Sequence, residues 1–277
     1  MAANGSLLIS PHSDDLALSF GGALLKHVLP TPYKALTVFT RNDYAPLEQG
    51  KQSSEEITRI RKEEDYAYLS SLGIDLVNLD FPDARLRGYG TFTATKSILG
   101  EKRPVDDPIF DSVAERLHQI VEDVSPEYLV APLGLGCHVD HLIVCDACRS
   151  ADSKVTRVYY EDLPYAAKYP LARISKIALA IDEKAEPMYV DIGQEIQQKI
   201  DNLRFYGSQL SSHYQSSVLG YAARLGKGKG AFERLWVSKK SHEPLVGDRR
   251  ASPYVSRRLH MQDVPHRMIS QMLGKWW

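Results

Sequence analysis

The sequence predicts an α/β fold, a Rossmann-like parallel-sheet sandwich with helices on both faces. Three observations predict it. Short apolar runs alternate with amphipathic helical stretches through the first two thirds of the chain, the rhythm of βαβ units with right-handed crossovers. The 277 residues are 43% hydrophobic and 25% charged, the balance of a chain able to bury a large core. The conspicuous polar clusters fall just past predicted strand ends, where open parallel sheets bind ligands.

The elements follow in order. "SLLIS" (6–10) reads as the first strand and "GGALLKHVL" (21–29) as the helix after it. "KALTVFT" (34–40) is the second strand. "SSEEITRIRKEEDYAYLSSLG" (53–73) reads as a long helix with Ile57, Ile60, Ala67 and Leu72 on its apolar face and Gly73 at its end. "LVNLDF" (76–81) is the third strand, and a loop rich in Gly, Arg and Asp runs over 82–108. "IFDSVAERLHQIVEDV" (109–124) is amphipathic, with Ile109, Val113, Leu117, Ile120, Val121 and Val124 on one stripe. "YLVAPL" (128–133) and "RVYYED" (157–162) are the fourth and fifth strands.

The pattern changes after Pro164, so a single domain is predicted with a core over 1–164 and a C-terminal elaboration over 165–277. There "ISKIALAI" (174–181) and "PMYVDI" (187–192) read as β segments, "QEIQQKIDNLRFYGSQL" (194–210) as a helix and "AFERLWVS" (231–238) as a late strand. The last forty or so residues, with Arg249–Arg250 and Arg257–Arg258, read as a surface tail.

The totals exclude several classes. A net charge of −1 gives no global pull toward nucleic acid. No apolar run is long enough to span a bilayer. "MAANGSLLIS" lacks the regions of a signal peptide, and three cysteines make no disulfide framework, so a cytoplasmic protein is expected. Cys145 and Cys148 form a C-x-x-C, but no second pair completes a four-ligand site, and both fall in a predicted helix as small buried hydrophobes. "GKGKG" (226–230) lacks the strand and helix that flank a phosphate loop and reads as a turn. The sequence carries no sign of the oligomeric state.

Two clusters carry chemistry. His12, Asp14 and Asp15 follow the first strand, and His138, Asp140 and His141 follow the fourth. Strands one and four are neighbours in the common doubly wound orders, so the clusters can meet across more than a hundred residues. A catalytic zinc takes three ligands from His, Asp, Glu or Cys and keeps one position open. His12, one Asp and one of the two later His meet that need. The second Asp is left to take a proton and the second His to stabilise an oxyanion or act as an acid, with Asp140 holding that His in its tautomer and helping to keep it protonated. The plainer reading of Asp14 or Asp15 is a helix cap.

"PHSDDLALSFGG" resembles the P-H-P-D-D-E-x-x-x-x-G-G signature of the PIG-L/LmbE-like zinc-dependent de-N-acetylases, and "HVDH" resembles that family's H-x-D-H. "RIRKEEDYAYLSSLG" and "LDFPD" resemble its R-x-x-E helix and the acidic loop beyond. The likeness runs from about Ser6 to "YYEDLPYA". It implies His12, Asp15 and His141 as zinc ligands, Asp14 as general base and His138 as acid or oxyanion stabiliser, backed by Asp140. Arg61 and Asp83 fall where the family contacts substrate, although a solvated helix face would also explain Arg61 and a turn would explain Asp83. Tyr165 and Glu161 are placed at the pocket by their position after the fifth strand. Two positions depart from the signature: Ser13 replaces Pro, and Leu16 replaces a Glu that lies beside the ligand shell.

The resemblance implies hydrolysis of an N-acetyl or other N-acyl group on an amino sugar or sugar-containing natural product, a small-molecule substrate, with Zn2+ as cofactor. The two-His, one-carboxylate set also suits Fe2+ or another divalent metal. Two rivals stand beside it. One is a zinc amidase acting on a non-sugar amide or thiol conjugate, and the other is a metal-binding module of the same fold without turnover.

Overall fold

The computed structural model describes residues 5–48, 50, 52–89, 104–151 and 155–238. The predicted basic tail and most of the predicted 82–108 loop lie outside the described residues. Strand β1 (Ser6–Ser10) is buried along its whole length, with Leu7, Leu8 and Ile9 fully covered. An unbroken apolar run of this kind belongs to a central parallel strand, covered on both faces. Its neighbours are β2 (Tyr33–Thr37) and β4 (Tyr128–Pro132), both parallel to it. β3 (Asp75–Asn78) lies outside β2, and β5 (Thr156–Tyr160) outside β4. The order reverses between β1 and β4, which makes the gap above these two strands the topological switch point. Right-handed crossovers then send the helices after β1 and β4 to opposite faces.

The sheet is mixed rather than all parallel. β7 (Phe232–Ser238) pairs antiparallel with β5, and β6 (Ala185–Asp191) pairs antiparallel with β7. The full order is β3-β2-β1-β4-β5-β7-β6. The C-terminal elaboration therefore completes the sheet itself.

Helix α1 (Asp15–Leu25) starts six residues before the predicted "GGALL" segment, directly on the acidic pair. Helix α2 (Ser54–Ser71) is capped by the Ser53 side chain, which accepts from the Glu56 N–H, and it is followed by Gly73 at φ +67. Its buried face overlaps the predicted apolar stripe only in part, at Ile57 and the half-buried Leu72. Ile57, Arg61, Asp65, Tyr68 and Leu69 point inward, whereas Ala67 is exposed. Helices α3 (Phe110–Val124) and α4 (Val139–Ser150) pack together on the far side. The segment predicted as a β run over 174–181 is helical instead: α5 spans Leu171–Ile181 and buries Ile174 and Ala178, four residues apart. Its isoleucines favour strands, but their 3–4 spacing lets one helical face reach the core. Helix α6 (Ile196–Asn202) is shorter than predicted, and α7 (Ser212–Leu225) is an element the sequence reading does not include. Cys145 and Cys148 are buried free thiols within α4, as expected of small apolar fillers. No helix among the described residues is long and apolar enough to cross a membrane.

Candidate active site

The two sequence clusters meet above the switch point. The rings of His12 and His138 lie 4.9 Å apart, those of His12 and His141 5.2 Å, and those of His138 and His141 5.4 Å. β1 delivers His12 directly after Pro11, and the chain then enters α1. Asp14 occupies the N-cap position of α1, but its side chain makes no capping bond, so the plain capping role does not hold. The connection after β4 turns sharply through Gly134 and Gly136, at φ +76 and +83. A Cβ on Gly136 would lie 2.3 Å from Cγ of Tyr165, so only glycine allows the Tyr165 ring to close over the turn. His138 then caps α4 by accepting the Asp140 N–H at Nδ1, 3.3 Å away, and His141 follows in the first turn.

One oxygen organises the ligand set. Asp15 Oδ2 lies 3.4 Å from His12 Nδ1 and 3.4 Å from His141 Nε2. Tetrahedral donors held about 2.0–2.1 Å from zinc are themselves roughly 3.3 Å apart. Asp15 Oδ2 therefore stands at that spacing from both imidazoles, and one donor of each of the three residues lies within 4.8 Å of the other two. The opposite nitrogen of each ring is occupied by a carboxylate. His12 Nε2 is 3.0 Å from Asp140 Oδ2, and His141 Nδ1 is 2.6 Å from Asp162 Oδ1. Metal-binding histidines characteristically carry such a partner, which fixes the tautomer and directs the other lone pair at the metal. His12, His138 and Asp140 also come within 4.8 Å of one another. That set is poorer, because the Asp140 carboxylate already accepts the Ala84 N–H at 3.0 Å and pairs with Arg87 at 2.8 Å, while His138 Nδ1 serves the helix cap.

The charge states follow from burial and neighbours. Burial opposes charge on His12, but hydrogen bonds to Asp140 and Asp15 outweigh it and raise its pKa to about 10. Burial would raise Asp15; the charges of His141 and His12 overcome this and hold it down at about 2. Asp14 is pushed up by burial, only partly offset by Arg61. His138 is pushed down to about 3, chiefly by burial, so it is neutral at pH 7. Asp140 opposes that shift, as expected of it, without reversing it. With Nδ1 accepting the cap bond, the proton of the neutral ring sits on Nε2. Asp140 is itself displaced from its expected partner: its carboxylate bonds His12 and lies 3.9 Å from His138 Nδ1.

The remaining sequence candidates divide. Arg61 is only 5% exposed, which overturns the solvated-face reading, and its Nη2 lies 3.6 Å from Asp14 Oδ1. Its Nε has no hydrogen-bond partner among the described residues, leaving a buried donor beside Asp14. Asp83 is buried and accepts the Leu86 N–H at 3.1 Å, so it does form a turn, and its pKa is raised by burial close to Asp140. Tyr165 sets its ring edge-on to His141 at 5.7 Å. Glu161 does not line this site. It is bound by Tyr221, Arg234 and Trp236 on the other side of β5. The carboxylate that reaches the site is its neighbour Asp162, which the sequence reading passes over. Leu16, in place of the signature Glu, is buried in the hydrophobic core.

The family model for PIG-L, GlcNAc-PI de-N-acetylase, matches residues 7–151. The 2'-N-acetylparomamine deacetylase of Streptomyces fradiae is 32% identical over 257 residues, covering 91% of this chain and 88% of its own. Among solved structures, a deacetylase from the biosynthesis pathway of teicoplanin has a TM-score of 0.65 at 23% identity, covering 86% of this chain and 99% of its own. The N,N'-diacetylchitobiose deacetylase of Pyrococcus horikoshii has a TM-score of 0.61 at 17% identity, with coverages of 85% and 84%. At those identities the two structures speak to the fold.

Proposed function

This chain belongs to the PIG-L de-N-acetylase family and is an enzyme of the deacetylase kind, and from that premise we propose that it is a zinc-dependent hydrolase of an N-acetylated amino sugar within a sugar-containing natural product. The relative that acts on 2'-N-acetylparomamine supports that substrate class. The observation that carries the reading is the convergence of His12, Asp15 and His141, each imidazole backed by a carboxylate, with Asp14 alongside.

In this reading His12 Nδ1, Asp15 Oδ2 and His141 Nε2 would hold the ion. Zinc held there would supply a water acidified to a pKa of about 7 and a Lewis acid for the acyl oxygen. Asp14 accepts the proton of the attacking water. Burial raises the Asp14 carboxyl, which suits it to keep that proton and pass it to the leaving amine. Arg61 favours the ionised form that starts the cycle. The neutral His138 presents its Nε2–H to the oxyanion rather than acting as the acid. Arg61, beside Asp14, and Tyr165, against His141, are the groups nearest to where the sugar would sit, with Asp83 behind them. The three buried free thiols fit a reducing cytoplasm.

The test is acetate release from N-acetylated amino sugars and pseudo-disaccharides, set against N-acyl amino acids, with zinc and with chelator. Sugar turnover that is lost on chelation and restored by zinc is expected. Hydrolysis of the acyl amino acids alone would move the chain to the non-sugar amidase reading. Zinc binding without turnover on either class would leave a non-catalytic module.

A further inference from the structure

We propose that Asp162 is the positioning residue for His141, fixing that imidazole in the tautomer and orientation that let it act as a metal ligand. The inference rests on the zinc reading above and extends it to a residue outside both sequence signatures. Asp162 follows β5, so it comes from a third strand end, 21 positions beyond His141. Its carboxylate is fully buried, and so is the ring it bonds. Oδ1 lies 2.6 Å from His141 Nδ1, while Oδ2 accepts the Leu135 N–H at 2.9 Å. The second bond ties Asp162 to the glycine turn between β4 and α4. One carboxylate thus fixes both the ring and the loop that delivers it.

The chemistry requires a full acceptor here. Asp162 meets the Leu135 N–H on Oδ2 and, in the tautomer proposed, the Nδ1–H of His141 on Oδ1. An ionised carboxylate satisfies both, whereas an Asn amide offers one acceptor and one donor. In an Asn variant, a donor must face either the Leu135 N–H or His141 Nδ1. Facing Nδ1, it favours the tautomer with the proton on Nε2, which removes the lone pair aimed toward Asp15. The pairing of His12 with Asp140 is the matching arrangement on the other ligand. Both imidazoles are therefore held from outside, by carboxylates on different segments.

The experiment measures zinc affinity by competition with a chromogenic chelator for the parent, Asp162→Asn, Asp162→Glu and His141→Ala, each checked for folding by circular dichroism. The parent is expected to bind one zinc. Asp162→Asn should bind about 10–100-fold more weakly, with turnover returning as zinc is raised, and Asp162→Glu should recover part of the affinity. A folded Asp162→Asn variant that binds zinc as tightly as the parent overturns the proposal and leaves the metal reading standing. A parent that binds no zinc, or a His141→Ala variant that binds it like the parent, overturns the metal reading and the proposal with it. If the Asp162 variants do not fold, 15N spectra of the zinc-loaded parent decide. A proton on His141 Nδ1 supports the proposal, and a proton on Nε2 overturns it.

Discussion

Glu161 and Asp162 are adjacent, both buried, and bound in opposite directions. Glu161 turns toward the C-terminal strands, where Arg234 Nε lies 2.5 Å from it and Trp236 Nε1 donates at 2.8 Å. Close by, Lys199 pairs with Glu233 at 2.6 Å, and the Glu233 carboxylate accepts the N–H groups of Gly22 and Ala23 within α1. Each of these two carboxylates has its own cation. Asp162 turns toward the switch point, where Asp14, Asp15, Asp83, Asp140 and Asp162 gather around three imidazoles. The guanidiniums there are Arg61 and Arg87, and Arg87 is shared with Asp107. One region neutralises itself and joins the C-terminal elaboration to the core. The other has only two guanidiniums for these acids and draws its remaining positive charge from protons on the imidazoles, which a divalent cation would replace. Buried charge alone does not mark a site; buried carboxylates matched by exchangeable protons on imidazoles are the better sign.

Five substitutions would break or sharpen that contrast. The largest effect is expected at the switch point. His141→Ala should abolish stoichiometric zinc and with it activity, whereas Asp14→Ala should retain zinc in metal analysis and lose about 10²–10⁴ in kcat. Normal turnover by Asp14→Ala would remove it as the base. At the matched region the effect should be on stability. Glu161→Ala leaves Arg234 buried and unpaired, and denaturant unfolding should show a loss of about 3–5 kcal/mol with zinc affinity unchanged. A loss of zinc instead would merge the two regions. Gly22→Ala comes next. Its Cβ would meet Ile192 Cγ2 at 2.7 Å and Glu233 Oε1 at 2.9 Å, so a cost of about 1–3 kcal/mol is expected in the same assay.

The smallest effect concerns Asp65, a buried carboxyl in no ion pair among the described residues. It is bonded by the hydroxyls of Thr37 and Tyr206, and burial pushes its pKa from 3.8 to about 8. Between those values the folded chain keeps a proton that the unfolded chain has released. The contribution of Asp65 to stability is therefore complete below pH 3.8 and declines as pH rises toward 8. Asp65→Asn should flatten that slope and raise Tm at pH 8 by a few degrees; an unchanged slope would mean that Asp65 is ionised in the fold.

The sequence made the active-site frame legible because its signals are local. A continuous apolar run marks β1, and His12, Asp14 and Asp15 lie immediately beyond it. The same holds for β4 with His138 and His141. What was not legible depends on partners distant in the chain. Arg61 and Asp65 look like the polar face of α2 until Asp14, Thr37 and Tyr206 are brought against them. Residues 174–181 read as a strand because isoleucine fits both elements, and only packing chose the helix. Period-2 alternation says that Glu161 and Asp162 diverge, but not which of them faces the switch point. Gly22 belongs to the recognised signature, yet its role appears only once Glu233, 211 residues away, reaches its N–H.

The central claim is that the strand-end acids and imidazoles form one metal site with a defined ligand set. A zinc-soaked crystal measured on both sides of the zinc absorption edge tests it most directly. The account predicts one anomalous peak about 2.0–2.2 Å from His12 Nδ1, Asp15 Oδ2 and His141 Nε2. A peak seated instead on His138 and Asp140, or no peak at these strand ends, would contradict it.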